Sequence, residues 1–176
     1  LERAHGEYVL FVDSDDYLEP GACASLWKEA RAGFADIIFS KMALEKPSVG
    51  MARFEKVAED RFQYHRIYSG PAYLMGCLEG GALRVEVIRA MFRRDFLVRN
   101  DLYFEYGILH EDEEFTPRAL LKAERVVLTD CVYYHYDNSR GDSIMNSTAL
   151  NGKKITDRVK IYDGLRKLYK TVKPRK

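Results

Sequence analysis

The stretch Gly6-Glu7-Tyr8-Val9-Leu10-Phe11-Val12-Asp13-Ser14-Asp15-Asp16-Tyr17-Leu18 decides how the rest of the chain is read. Tyr8 to Val12 is a continuous run of β-forming apolar residues, the pattern of a strand buried on both faces as in a parallel sheet. It stops at Asp13-Ser14-Asp15-Asp16, three carboxylates within four residues, which repel one another unless a cation neutralises them. Ligands of α/β sheets bind beyond the carboxyl ends of the strands, and there the fitting cation is hard and divalent, Mg2+ or Mn2+, able to bridge to a diphosphate. The plainer alternative is that Ser14, Asp15 or Asp16 only shapes the turn or caps the next helix.

Downstream, Pro20 marks a helix start, and Ala22, Leu26, Trp27 and Ala30 recur at helical spacing up to Gly33. Asp36 to Phe39 reads as the next strand, which completes a βαβ unit and predicts an α/β fold. From Lys41 to about Phe62 the chain is polar and its structure is not readable. Ser69-Gly70-Pro71 opens a helix that runs through Leu78 and stops at Gly80-Gly81. Leu83 to Phe92 reads as extended, and Arg93-Arg94-Asp95 as a short helical turn. A second acidic cluster, His110-Glu111-Asp112-Glu113-Glu114, precedes a helix marked by Phe115, Ala119, Leu120 and Ala123. Its acids suit the helix dipole, which predicts a solvated helix start for Glu113 and Glu114. Arg125 to Thr129 and Val132 to Tyr136 read as two strands, followed by a turn-rich stretch.

At 176 residues the chain makes one ordinary domain. Its 47% apolar content excludes a disordered polymer, and no apolar run is long enough to cross a bilayer. Cys23, Cys77 and Cys131 are far apart and odd in number, which predicts buried free thiols in a reducing compartment. Residues 153–176 carry a charge of +8 and the first 152 residues −7. The division expected is therefore a core over 1–152 and a basic amphipathic helix over 153–176, its stripe formed by Ile155, Val159, Tyr162, Leu165, Tyr169 and Val172. Such a helix reads either as a membrane-surface or partner element or as a helix packed on its own domain. The acidic core, and a tail without a base-stacking arrangement, argue against nucleic acid.

The acidic strand end closely resembles the DxD segment of family 2 glycosyltransferases with the GT-A fold. The resemblance continues through Pro20 and Ala35-Asp36-Ile37-Ile38, and resumes at Phe92-Arg93-Arg94-Asp95-Phe96-Leu97. Glu111-Asp112-Glu113-Glu114-Phe115 looks like that family's ED motif, and Tyr133-Tyr134-His135-Tyr136 with Arg140-Gly141-Asp142-Ser143-Ile144 is similar to the closing segment of many bacterial members. What this implies is a partial GT-A fold: a mixed α/β sheet with flanking helices, truncated at the N-terminus. A nucleotide-binding segment normally precedes the DxD strand in the family, and only Leu1 to Glu7 stand before it here. The expectation is a fragment that lacks transferase activity alone.

By the resemblance, Asp15 holds Mn2+ or Mg2+, with Asp13 or Asp16 as a further ligand; Asp13 otherwise lies on the ribose or on metal-bound water, and Asp16 is a further donor contact. Asp112 is the general base on the acceptor hydroxyl, and Glu111 orients it or contacts the acceptor, which gives direct displacement with inversion. His135 is either a packed, hydrogen-bonded strand residue or a late metal ligand. Arg140 and Ser143 lie either on a loop closing over the diphosphate or on the surface. The partners implied are a nucleotide-diphospho-sugar donor and a glycan or lipid-linked acceptor of bacterial surface-polysaccharide synthesis. The location expected is cytoplasmic, peripheral on the inner face of the membrane. A haloacid-dehalogenase-like phosphohydrolase, with Asp13 as nucleophile, and a non-catalytic interaction module remain alternatives. A calcium EF-hand loop fails, because Leu18 stands where its glycine must be.

Overall fold

The computed structural model describes residues 1–44, 60–136 and 151–171. In chain order the elements are β1 (Tyr8–Leu10), β2 (Tyr17–Leu18), α1 (Ala22–Ala32), β3 (Ile37–Leu44), β4 (Ile67–Tyr68), α2 (Gly70–Gly80), β5 (Ala90–Arg93), α3 (Arg94–Arg99), α4 (Glu111–Lys122), β6 (Val126–Tyr136) and α5 (Asn151–Thr171). The strands form one mixed sheet in the order β1-β5-β3-β6-β2, with β4 also paired to β6. Among the described residues only β3 and β6 run parallel, and every other pairing is antiparallel.

Two readings of the first strand are corrected. The expected βαβ unit is split, because β5 runs antiparallel between β1 and β3 and is hydrogen-bonded to both. The strand itself is only three residues long and lies at the end of the strand order, so its side chains are half-buried and Val12 is exposed. The apolar run still serves packing, but past the strand: the Phe11 ring meets those of Phe92, Phe104 and Phe115, with centroids 5.9, 4.9 and 6.3 Å away.

The sheet is covered on both faces. Ile37, Phe39 and Phe92 pack with Tyr73, Leu74 and Cys77 of α2 and with Phe115 and Leu120 of α4. Ile38, Met91 and Val127 pack against Ala22, Leu26 and Ala30 of α1. The α2 boundaries follow from local chemistry. Ser69 caps the N-terminus by accepting from the Ala72 amide (3.4 Å), and Gly81 ends the helix in the left-handed conformation at φ 62°. Gly70 is required by packing: a Cβ there would sit 2.0 Å from the Leu120 carbonyl oxygen of α4.

Asp36 is the polar node of the sheet. Its Oδ2 accepts from the Glu124 and Arg125 amides (2.9 and 3.1 Å), its Oδ1 pairs with the Arg93 guanidinium, and it is 3% exposed. The start of β3, the end of β5 and the entry to β6 are thereby joined through one carboxylate.

The two strands expected over 125–136 are one strand, β6. Its register against β3 shifts between Phe39 and Lys41, where Leu128 and Val132 are the respective partners, so a bulge takes up the extra residues. β3 continues to Leu44, into the stretch the sequence left unreadable. Among the cysteines only Cys77 is buried; Cys23 is exposed and Cys131 half-buried, which corrects the expectation of three buried thiols.

The tail helix α5 packs on α4. Its buried face is Asp157, Ile161 and Leu165, whereas Ile155, Val159 and Tyr162 of the expected stripe are exposed. The buried Asp157 accepts from the Leu109 amide (2.9 Å) and pairs with Lys153, which turns the helix away from the face its apolar spacing suggests. Among the described residues no helix is long and apolar enough to cross a membrane.

Candidate active site

The acidic turn lies between β1 and β2. The Asp16 amide donates to the Asp13 carbonyl (3.2 Å), and β2 pairs with β6 so that Leu18 lies opposite Tyr134 and Tyr17 opposite His135. The Tyr134 phenol, fully buried, donates to Asp16 Oδ2 (2.6 Å) and accepts from the Asp13 amide (3.0 Å). Burial raises the Asp13 carboxyl above its ordinary range, and Asp16, Asp15 and Glu111 add to the rise. The last of these belongs to the second acidic cluster.

That cluster is the first turn of α4, which begins after His110 in the left-handed conformation at φ 62°. Asp112 Oδ1 accepts from the Glu113 amide (2.9 Å). Burial, then repulsion from Glu111, pushes the Asp112 carboxyl up to about 6, with Glu86 and Glu113 contributing and the amide bond opposing. A half-buried aspartate with its carboxyl at about 6 is ionised at neutral pH and can accept a proton. The solvated helix start expected for Glu113 and Glu114 is corrected. Glu113 accepts from Arg158 (2.7 Å) and from the Tyr162 hydroxyl (3.2 Å) of α5, and Glu114 pairs with Arg118 (2.8 Å).

The fold brings the two clusters together. Phe11 stands two residues before Asp13, and Phe115 three residues after Asp112; their rings are in contact, and the charges of Asp13 and Glu111 sense each other. Glu86 adds to the rise of Asp112, and the Tyr136 phenol is raised by burial and then by Asp16, Asp13, Asp15 and Glu86. A groove of about 420 Å³ between α4 and α5, lined by Glu105, Ile108, Glu114, Arg118, Ile161 and Leu165, takes no residue from the acidic turn.

Among the described residues no three His, Cys, Asp or Glu side chains gather in a way that would hold a metal ion by themselves. The donor set still fits Mg2+ or Mn2+, which are held by one or two carboxylates together with substrate phosphates rather than by closed protein cages. Asp13 and Asp15 offer such carboxylates, Asp13 raised first by burial and then by the neighbouring acids. His135 pairs with Glu19 through Nε2 (2.6 Å) and stacks on Tyr17 at 4.5 Å, so that nitrogen is engaged within the protein. Arg140 and Ser143 lie outside the described residues.

Sequence reasoning missed the roles of Tyr134 and Glu86. The Tyr133-Tyr134-His135-Tyr136 run was a visible signal, but its partner is the two-residue strand Tyr17–Leu18, too short for periodicity to expose. Glu86 stands in a segment read only as extended.

No family model matches the chain. It is 27% identical over 136 residues to an uncharacterized glycosyltransferase, YibD, of Escherichia coli, covering 77% of this chain and 39% of that protein. It is also 27% identical over 150 residues to the poly(ribitol-phosphate) beta-N-acetylglucosaminyltransferase TarS of Staphylococcus aureus, covering 84% of this chain and 24% of that protein. A crystal structure of S. aureus TarS residues 1–349 in complex with UDP-GlcNAc superimposes with a TM-score of 0.63 at 23% identity, over 83% of this chain and 39% of that one. The chain thus spans at most 39% of the length of these relatives. It is a homologue of bacterial glycosyltransferases and has the GT-A fold of part of TarS.

Proposed function

We propose that the chain is the cation- and acceptor-facing part of an inverting glycosyltransferase of family 2 type. Its donor is a nucleotide-diphospho-sugar, and its acceptor a glycan or lipid-linked glycan of a bacterial surface polymer, met at the cytoplasmic face of the membrane. The observation that carries this reading is the approach of two acidic clusters, one on a turn and one on a helix start, with Asp13 and Glu111 near enough to affect each other.

In the reaction, Asp112 accepts the proton of the acceptor hydroxyl as that oxygen attacks the anomeric carbon. A base on the face opposite the departing diphosphate produces inversion. A carboxyl at about 6 is ionised at neutral pH and still basic enough to take the proton. Glu111 beside it orients the acceptor hydroxyl. Asp15, with Asp13, would hold Mn2+ or Mg2+, which stabilises charge on the leaving diphosphate. Asp13 also reaches the ribose. The donor class is supported by TarS, a relative at 27% identity whose name specifies an N-acetylglucosaminyl transfer. The phosphohydrolase alternative finds no such support, since these relatives are glycosyltransferases.

The test is donor turnover with a panel of UDP-sugars in Mn2+, measured for the 176-residue chain alone and for the chain joined to an upstream nucleotide-binding segment. The joined protein is expected to turn over donor and the chain alone to be inert. Robust turnover by the chain alone, or phosphoester hydrolysis dependent on Asp13, would contradict the proposal.

A further inference from the structure

Asp13, Asp15 and Asp16 stand within four residues of one another, and the structure distinguishes them by their partners. Asp16 Oδ2 receives a 2.6 Å hydrogen bond from the buried Tyr134 phenol, in the range of a charge-assisted O–H···O bond. The same phenol oxygen accepts the Asp13 amide at 3.0 Å. The turn's own bond, from the Asp16 amide to the Asp13 carbonyl at 3.2 Å, closes a ring that runs through both ends of the turn and the side chain of Tyr134. Tyr134 is itself fixed by the β2–β6 register and by ring contact with Tyr133 at 5.8 Å.

We infer that Tyr134 is a positioning residue: it latches the acidic turn from beneath, making Asp16 an anchor and leaving Asp13 and Asp15 as the carboxylates presented to a cation. The inference rests on the reading of this turn as a cation and diphosphate site. It departs from the sequence expectation that Asp16 contacts the donor. A carboxylate whose oxygen is tied to a buried phenol is a poorer ligand, because binding a metal through that oxygen would break a charge-assisted bond and strand the phenol.

The experiment uses the 176-residue chain with Tyr134→Phe, Asp16→Asn and Asp15→Asn, Asp16→Ala in reserve, and two readouts: amide hydrogen exchange at Asp13, and Mn2+ binding followed by electron paramagnetic resonance. Tyr134→Phe keeps the ring and removes the hydroxyl. It is expected to accelerate Asp13 exchange and to raise the Mn2+ half-saturation point, each about tenfold, the worth of one such hydrogen bond. Asp16→Asn still offers the phenol an oxygen and should stay within about twofold of the parent in Mn2+ binding, whereas Asp15→Asn should abolish it. Asp16→Ala removes the same bond from the solvent side and provides the reading if the phenylalanine variant does not fold.

Unchanged exchange and unchanged Mn2+ binding in Tyr134→Phe would overturn the inference, as would an Asp16→Asn variant as deficient as Asp15→Asn. If the parent chain takes up no Mn2+ while Tyr134→Phe still accelerates Asp13 exchange, the latch stands and the cation reading falls.

Discussion

Asp112→Asn is expected to stabilise the protein at pH 7 while removing its proposed chemistry. The native chain holds the Asp112 proton up to about pH 6, whereas an ordinary aspartyl carboxyl releases it near 3.8. Between these values the folded state binds more protons than the unfolded state, so this group's contribution to stability falls as pH rises from about 4 to 6. Asparagine keeps the oxygen that accepts the Glu113 amide and carries no charge to bury. The gain expected at pH 7, reduced for partial exposure, is about 1–2 kcal/mol, and it should vanish at pH 4. Urea unfolding at the two pH values measures it. In the joined protein the same substitution should lower turnover at least about 100-fold, and the parent's rate should rise with pH through about 6. A variant equally destabilised at both pH values would show that Asp112 is an ordinary structural residue. Gain of stability with loss of function is the usual sign of a site held in an unfavourable electrostatic state.

Asp36→Ala should produce the largest loss of stability. The substitution leaves the Glu124 and Arg125 amides without their acceptor and the Arg93 guanidinium without its counter-charge, at the point where β3, β5 and the α4–β6 connection meet. Removing one partner of a buried ion pair costs about 3–5 kcal/mol, a large fraction of the stability of a domain this size. Asp36→Asn should lose less, because its remaining oxygen still serves the amides. The urea midpoint of Asp36→Ala is expected to fall far below that of the parent. Pairing it with Arg93→Met should recover part of the loss, since the unpaired cation is then gone. A fall in midpoint of the size seen for ordinary surface substitutions would contradict this account of the sheet's node.

The elements legible in the sequence are those whose ends are fixed by their own residues. Ser69 and Gly81 bound α2 by cap chemistry, Gly33 closes α1, and the acids from Glu111 onward announce α4. Both acidic clusters are likewise visible, because carboxylates crowded along a sequence are informative wherever the chain folds. What escaped depends on contacts between distant segments. The bulge in β6 arises from its register with β3, so local pattern divided one strand into two. The face of α5 was misjudged because Asp157, a charged residue that periodicity assigns to solvent, is buried by its bond to the Leu109 amide. Tyr134 lies in a visible motif, but its role depends on the pairing of β6 with a two-residue strand more than a hundred residues away.

Paramagnetic broadening of backbone amide signals by substoichiometric Mn2+ tests whether the two acidic clusters flank one bound cation. Signals of Asp13 to Asp16 and of Glu111 to Glu114 are expected to broaden together at the same Mn2+ concentration, and Asp15→Asn to protect both sets at once. Broadening confined to one cluster, with the other unaffected at saturation, would contradict this expectation.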